Sequence, residues 1–247
     1  MSYRPTGSKI MKIIKRISRL FALFAIYIIA AYGYLTAKGF IYSGNQFILS
    51  NQAYAQDESF SRKVSGDVGL RSERIRAQGN PNAPLTMYIY SSLACAHCRD
   101  FHRFILPKLQ RDFISKGKLR FIFIHFPIDA MSMRAAKLSY CLPAERFYKF
   151  IDELYDKKDW LFAKDEEKLY AYARRFGMSA QGLEACKADK KLTSDILLVK
   201  DKAIETFNIT GTPSFVIEGA DGKEVILGTK SYGDLKAYLE QRLGAQR

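Results

Sequence analysis

The sequence predicts an α/β domain that is interrupted by an all-helical segment and preceded by an N-terminal export or anchor helix. Two strand-like runs, at residues 85–90 and 119–126, are separated by a helical pattern, which is typical of a β-α-β arrangement. Between Ala130 and Asp195 no strand-like run occurs and helical patterns follow one another. A strand and a hairpin turn return after Gly211, so the sheet resumes on the far side of the helical segment.

The first 55 residues have the pattern of an export signal. Residues 9–19 are basic, residues 20–37 contain no charged side chain, and the small-x-small site Ala53-Tyr54-Ala55 follows. Residues 1–55 are therefore predicted to be a signal peptide or a signal anchor, since 18 uncharged residues are about long enough to span a bilayer. Either way the following domain faces outward, which predicts a periplasmic protein and leaves tethering to the inner membrane open.

The net charge of +14 does not by itself indicate nucleic-acid binding. Seven of the 39 Lys and Arg residues lie in residues 1–55, which contain no acidic residue, so 32 basic and 25 acidic side chains remain for the rest of the chain. The chain has no dense run of Lys and Arg, and we therefore expect no nucleic-acid partner.

Glycines, prolines and capping residues divide the rest of the chain into elements. Residues 56–78 are a polar lead-in with room for one short helix or edge strand. The helix after the first strand is predicted to reach about residue 115 and to kink or restart near Pro107. Ser231 is predicted to cap a last amphipathic helix.

The helical patterns define the domain boundaries. The α/β domain is predicted for residues 79–129 and 196–247, and the helical insertion for residues 130–195. The predicted helices of this region cover residues 131–140, 144–157, 165–176, 179–188 and 192–207.

The motif that carries chemistry is Cys95-Ala96-His97-Cys98, at the start of the helix that follows the first strand. Two thiols with this spacing are placed to exchange a disulfide. A thiolate at a helix N-terminus faces unpaired backbone N–H groups and the positive end of the helix dipole. We expect these groups, together with partial positive charge on His97, to lower the pKa of Cys95 well below the roughly 8.5 of a free thiol.

Four features together resemble the DsbA-like thiol:disulfide oxidoreductases, which have a thioredoxin fold with a helical insertion. The resemblance covers roughly residues 75–245. The four features are the lead-in Gly79-Asn80-Pro81-Asn82-Ala83-Pro84, the Cys95–Cys98 motif, the helical insertion, and Gly211-Thr212-Pro213 before a strand and hairpin.

The resemblance implies a role for each residue of the site. Cys95 is expected to be the nucleophile, Cys98 the resolving thiol, and the pair a redox-active disulfide, while His97 resembles the strongly oxidising members. Pro213 resembles the cis-proline of the family, beside which the Thr212 backbone pairs with bound peptide. The expected substrates are reduced exported proteins, a membrane-bound protein is expected to reoxidise the dithiol, and no cofactor is implied.

The chain also departs from the family pattern. Ala96 stands where the best-known member has Pro, and Thr212 replaces a Val and matches isomerases as well as some oxidases. Residues 85–94 contain no acidic residue, so this strand does not supply the buried carboxylate that many relatives place beside the resolving cysteine.

Alternative interpretations remain at this stage. Thr212 keeps a disulfide isomerase or reductase open, and a copper-binding protein using both thiolates and His97 is conceivable. No structural metal site is predicted, because zinc sites commonly need a second ligand pair.

The remaining cysteines and two of the histidines lie outside the Cys95–Cys98 motif. Cys141 and Cys186 are either joined as a structural disulfide or are two separate buried thiols. His102 is predicted on a helix surface and His125 at a strand end, and neither is assigned a role.

Overall fold

The structure of the chain is a computed structural model, and it describes residues 27, 30–31, 40–43, 46–49 and 71–245. The chain divides into two compact units, residues 1–53 and 54–247. In the first unit, Phe40–Ser43 (β1) and Gln46–Leu49 (β2) pair as an antiparallel ribbon, which the sequence analysis did not predict.

The predicted signal or anchor helix lies outside the described residues, apart from three helical positions at 27, 30 and 31, and so does the site Ala53-Tyr54-Ala55. Among the residues that are described, none of the helices is both long enough and apolar enough to cross a membrane.

A mixed five-stranded sheet forms the centre of the second unit, with the strand order β3-β5-β4-β6-β7. The central β4 pairs in parallel with β5 and antiparallel with β6. All residues of β4 and β5 are buried, which explains why both run almost without polar alternation in the sequence. The strands are Ala77–Gln78 (β3), Leu85–Ser91 (β4), Leu119–His125 (β5), Ser214–Gly219 (β6) and Gly222–Leu227 (β7).

Seven helices are described in the second unit. Before the first of them, the short edge strand β3 follows a 3-10 turn at Ser72–Arg74, within the lead-in that was predicted to hold a short helix or an edge strand. The element order confirms the predicted α/β fold with a helical segment between β5 and β6. The helices are residues 96–114 (α1), Ala130–Cys141 (α2), Phe147–Lys157 (α3), Glu167–Arg175 (α4), Ala180–Ala188 (α5), Lys190–Phe207 (α6) and Tyr232–Gly244 (α7).

One expected boundary falls inside a regular element. The helix α6 is capped by Asp189, whose side chain accepts a hydrogen bond from the N–H of Leu192 at 2.8 Å. It then continues without interruption to Phe207, so the predicted division between residues 195 and 196 lies within its second turn.

The helix α1 is irregular where it passes Pro107. It widens to π-helical turns at Phe101–Ile105 and Gln110–Ile114, and Pro107 is the second residue of the α-helical turn Leu106–Leu109 between them. Pro107 has no N–H to donate, so a regular α-helix would lose a hydrogen bond here. The wider turn before it lets the N–H of Leu106 donate to the carbonyl of Phe101, and the helix continues instead of restarting.

The helical insertion is joined internally by a disulfide between Cys141, at the end of α2, and Cys186 on α5. The two cysteines are 45 residues apart in the sequence. A covalent link of this kind limits the unfolded chain and so adds to the stability of a segment that contains only helices.

His125 ends β5 at the point where the sheet meets the insertion. Its imidazole lies within 2.7 Å of the Ser139 hydroxyl and is surrounded by the rings of Phe123, Tyr140 and Phe147. Complete burial lowers the pKa of His125 to about 3, and the positive charge of Arg76 acts in the same direction. The position at a strand end was predicted, whereas the complete burial was not.

Removal of the insertion disulfide is expected to destabilise the protein. The Cys141→Ala/Cys186→Ala variant should lose about 3–4 kcal/mol in its free energy of unfolding, because its unfolded chain is no longer constrained. Urea unfolding without reductant measures this loss, with Cys95→Ser and Cys98→Ser introduced into both proteins so that no free thiol can attack the Cys141–Cys186 disulfide. Equal unfolding free energies would mean that the pair adds no stability.

His125 should make the fold sensitive to acid. In the unfolded chain its pKa is about 6.5, so between pH 6.5 and about 3 the unfolded state binds one more proton than the folded state. Stability from this group is therefore present above pH 6.5 and falls by about 1.4 kcal/mol for each pH unit below it.

The His125→Gln variant should lack this part of the acid sensitivity. The free energy of unfolding, measured with urea between pH 7 and 4, should fall less steeply with decreasing pH in the variant than in the wild type. The effects of carboxylate protonation are common to both proteins and do not change this comparison. Parallel slopes would show that His125 does not titrate on unfolding.

Candidate active site

The dithiol lies where β4 passes into α1. Cys95 is the N-cap residue of α1, with φ −83° and ψ 124°, and its N–H donates to the carbonyl of Ser92 at 3.1 Å. Cys98 sits in the first helical turn and is fully buried, whereas Cys95 is partly exposed. Both thiols are free, and one sulfur is accessible while the other is buried.

The surroundings of Cys95 favour its thiolate. The pKa of Cys95 is lowered to about 5, mainly by a hydrogen bond from the Cys98 thiol, and further by the side chain of Thr212 and the backbone N–H groups of Cys98 and His97. Partial burial opposes this shift but does not cancel it. Cys95 is therefore largely ionised at neutral pH, which makes it both a ready nucleophile and a good leaving group.

Cys98 has the opposite tendency. Burial raises the pKa of its thiol well above that of a free cysteine, and the hydrogen bond that it donates to Cys95 raises it further. The hydroxyl of Ser91, at the end of β4, also hydrogen-bonds to this thiol and acts in the other direction. The pair thus shares one proton unequally, and Cys98 keeps it.

His97 contributes to the site through its backbone. Its N–H is among the groups that lower the pKa of Cys95, while its side chain is exposed to solvent on the first turn of α1. A contribution of the His97 imidazole to the pKa of Cys95 stays a prediction.

The register of β6 against β4 brings Thr212 and Pro213 to the dithiol. Ser214 is paired with Tyr90, so the two residues before Ser214 lie beside the turn that leads from β4 to Cys95. The Thr212–Pro213 peptide bond is cis, and the thiol form of Cys95 donates to the Thr212 carbonyl at 3.4 Å. Both the carbonyl and the side chain of Thr212 therefore face Cys95.

A cavity of about 140 Å³ opens in front of the partly exposed thiol. Its wall is mainly apolar, with positive charge at its border from Arg99 and Lys158. Phe162 at its edge is 83% exposed, so an extended polypeptide can contact an aromatic ring beside Cys95. The apolar lining residues include Leu93, Leu154, Leu161 and Phe162.

Behind the dithiol the structure reveals polar residues that the sequence analysis missed. The hydroxyls of Ser91 and Tyr155 lie 2.9 Å apart, and Tyr155 also donates to the Ser92 carbonyl at 3.1 Å. The prediction that His102 lies on a helix surface was wrong, because His102 is 7% exposed and its ring packs at 4.9 Å from that of Tyr155. No local sequence signal links α3 to the end of β4, since these residues are more than 60 positions apart.

Cys141 and Cys186, the other two cysteines, do not form a metal site together with the dithiol. Cys141 and Cys186 are bonded to each other within the insertion. In the part of the chain that the structure describes, no three His, Cys, Asp or Glu side chains are grouped so that they could hold a metal ion.

The sequence is similar to those of thioredoxin-like proteins that form disulfides. The family model described as Thioredoxin matches residues 71–241. Disulfide bond formation protein D of Bacillus subtilis is 25% identical over 191 residues, covering 73% of this chain and 81% of that protein. A putative protein-disulfide oxidoreductase of Rickettsia bellii is 24% identical over 167 residues, covering 66% of this chain and 64% of that protein.

Solved structures of similar shape have related descriptions. The crystal structure of Wolbachia pipientis alpha-DsbA1 matches this chain with a TM-score of 0.64 and 29% sequence identity. The match covers 74% of this chain and 97% of the Wolbachia chain. Oxidised BdbD from Bacillus subtilis has a TM-score of 0.58 with 23% identity over 69% of this chain and 93% of that one, which supports the fold alone.

The family match covers more than half of the chain and includes the buried and accessible thiols, the Thr212–Pro213 segment and the insertion. The chain therefore belongs to the thioredoxin family, and within it to the DsbA-like thiol:disulfide oxidoreductases.

Proposed function

We propose that this oxidoreductase is a dithiol oxidase that introduces disulfides into exported proteins in the periplasm. The single observation that carries the proposal is the unequal ionisation of the dithiol. The pKa of Cys95 is lowered to about 5 while that of Cys98 is raised by burial. Because these interactions stabilise the reduced form, they raise the reduction potential and favour oxidation of other thiols.

The proposed reaction begins from the Cys95–Cys98 disulfide. A substrate thiolate attacks Sγ of Cys95, the Cys95–Cys98 bond breaks, and Cys98 leaves with the electron pair and takes up a proton because its buried charge is unfavourable. A second substrate thiolate then attacks the substrate sulfur of the mixed disulfide. Cys95 leaves as a thiolate, which the Cys98 thiol and the backbone N–H groups stabilise, and the substrate retains the new disulfide.

Thr212 and Pro213 are proposed to hold the substrate chain beside the accessible sulfur. The Thr212 carbonyl is within hydrogen-bond distance of Cys95, so a polypeptide attached to Cys95 passes along this segment. The apolar cavity with Phe162 at its edge is suited to side chains that are exposed only in unfolded proteins. This combination favours reduced, incompletely folded substrates.

The reaction spends one disulfide in each cycle, so a second protein must reoxidise the dithiol. We propose that this partner is a membrane protein, because the export pattern of residues 1–55 delivers the domain to the outer side of the inner membrane. Whether the N-terminal helix is cleaved or retained, the dithiol then works near that membrane.

A disulfide isomerase or reductase is the second candidate, and it is motivated by Thr212. Both functions use the same exchange chemistry, and they differ in the reduction potential and in the redox state of the protein that reacts.

Titration of the dithiol tests the observation that carries the proposal. The rate at which reduced protein is alkylated by iodoacetamide should rise with pH around an inflection near pH 5. In Cys98→Ala the main hydrogen bond to the thiolate is lost, so this inflection should move up by about one pH unit or more. Thr212→Val should shift it less, and His97→Ala, which keeps the backbone N–H, should shift it least.

An inflection near the ordinary value of about 8.5 in the wild type would contradict the oxidase proposal. A larger shift in His97→Ala than in Cys98→Ala would assign the stabilisation to the imidazole instead of the buried thiol.

Direct oxidation of a model substrate tests the direction of electron flow. Oxidised protein, mixed with reduced and denatured ribonuclease, should form ribonuclease disulfides in amounts that match the protein added, and Cys95→Ser should form none. Equilibration with glutathione should give a potential well above the roughly −270 mV of thioredoxin. The Cys141→Ala/Cys186→Ala variant serves as the control, since it keeps the reactive dithiol.

A potential close to that of thioredoxin would reverse the proposed direction and favour a reductase. Recovery of ribonuclease activity from scrambled but not from reduced ribonuclease would favour an isomerase.

A further inference from the structure

A pair of buried hydroxyls lies directly behind Cys98. Ser91 is the last residue of β4, and Tyr155 lies near the end of α3 in the insertion. Their oxygens are 2.9 Å apart, and both residues are 1% exposed. The Ser91 side chain also hydrogen-bonds to the Cys98 thiol, so the three groups form a short chain that runs from the sulfur into the insertion.

The direction of these hydrogen bonds follows from a carbonyl. Tyr155 has one hydroxyl proton, and it donates this proton to the Ser92 carbonyl at 3.1 Å. In the contact between the two hydroxyls, Ser91 must therefore be the donor and Tyr155 the acceptor. Ser91 is then left with free lone pairs toward Cys98, and it can accept the proton of the buried thiol.

Among the described residues, two titratable groups interact with Cys98 by charge: Cys95, from its own helix, and Tyr155, from α3. Behind Tyr155 lies His102, which is paired with Asp152, and the side chain of Asp152 is 63% exposed. Arg99 and Lys158 border the cavity in front of Cys95.

We propose that Ser91 and Tyr155 are positioning residues that hold the Cys98 proton and then stabilise the Cys98 thiolate, in place of a buried carboxylate. The inference rests on the proposed exchange function. In the reduced protein Cys98 donates its proton to the Cys95 thiolate. In a mixed disulfide Cys95 is bonded to another sulfur and carries no charge, so Ser91 becomes the neighbouring acceptor.

Rotation of the Ser91 hydroxyl changes it from an acceptor for the Cys98 thiol to a donor for the Cys98 thiolate. When Cys98 ionises, its proton is released to water. The Ser91 hydroxyl turns from Tyr155 to Cys98 and donates to the thiolate, while Tyr155 remains fixed by the Ser92 carbonyl. The thiolate attacks Sγ of Cys95, the Cys95–Cys98 bond forms, and the outer sulfur leaves with the electron pair of the broken bond.

A single-turnover reaction with dithiobis(nitrobenzoate), a coloured aromatic disulfide, separates the two thiols. Attack by Cys95 releases the first nitrothiobenzoate and forms a mixed disulfide. Attack by Cys98 then releases the second, so the second phase reports the buried thiol alone. Stopped-flow traces are recorded across a pH series for the wild type and for each variant.

The second phase should depend on the hydroxyl pair. In Ser91→Ala it should be about tenfold slower at neutral pH, and its pH profile should shift upward by about one unit, because a hydrogen bond to the thiolate is lost. Tyr155→Phe should change it in the same direction by a smaller factor. Ser91→Thr retains a hydroxyl and a side chain suited to a strand, and it should restore most of the rate.

Tyr148→Phe is the matched control. Tyr148 is also on α3 and also donates to a backbone carbonyl, that of Arg76 at 2.6 Å, so its variant loses the same group elsewhere on the helix. Circular dichroism checks that each variant is folded. The control should keep the second-phase rate and pH profile of the wild type.

Two results would overturn the inference. One is a second phase in Ser91→Ala that matches the wild type at every pH, and the other is an equal slowing at every pH with no shift of the profile. A first phase with the pH dependence of an ordinary thiol would instead contradict the proposed oxidase function, because that phase is the attack by the Cys95 thiolate.

Discussion

The hydrogen bond from the Cys98 thiol to the Cys95 thiolate is the interaction on which the site depends. It exists because one sulfur is fully buried and the other is not, so the proton stays on the buried atom. Burial of Cys98 in turn requires the first turn of α1 to lie close against the sheet. The contact between the rings of Phe101 and Phe215, 5.0 Å apart, joins α1 to β6 one turn beyond Cys98.

Three parts of the chain meet at the end of β4, and each supplies one function to the dithiol. The N-terminus of α1 supplies the backbone N–H groups that face the thiolate. The segment before β6 supplies Thr212, and the insertion supplies Tyr155 behind the buried sulfur. The insertion is therefore more than a cover for the sheet, since α3 contributes a polar group to the centre of the site.

Much of the fold and part of the site could be predicted from the sequence. Several features are visible as local patterns: the Cys95–Cys98 motif, the two central strands and the helical segment. Such patterns predict the structure well where local propensity, hydrophobic pattern and packing favour the same conformation. The Ser91–Tyr155 contact could not be predicted, because it joins residues 64 positions apart and neither belongs to a motif. His102 was misplaced for a related reason: its sequence neighbours include charged residues, and the helix that covers it is distant in the sequence.

The irregularity of α1 had a different origin. Pro107 signalled that a regular helix was impossible, but the sequence contains no rule for how the chain recovers its hydrogen bonds. The wider turns at Phe101–Ile105 and Gln110–Ile114 became visible only in the structure. Whether the helix forms wider turns, kinks or restarts at a proline depends on how the whole helix packs against the sheet.

The spacing of the four cysteines also bears on how the protein acquires its own covalent structure. Four cysteines can pair in three ways, and two of those ways would link the sheet domain to the insertion wrongly. Cys95 and Cys98 are separated by two residues, whereas Cys141 and Cys186 are 45 residues apart and are bonded within the insertion. The bond between Cys141 and Cys186 belongs to the one pairing that leaves Cys95 and Cys98 to each other, so the covalent structure of the insertion does not occupy either sulfur of the motif.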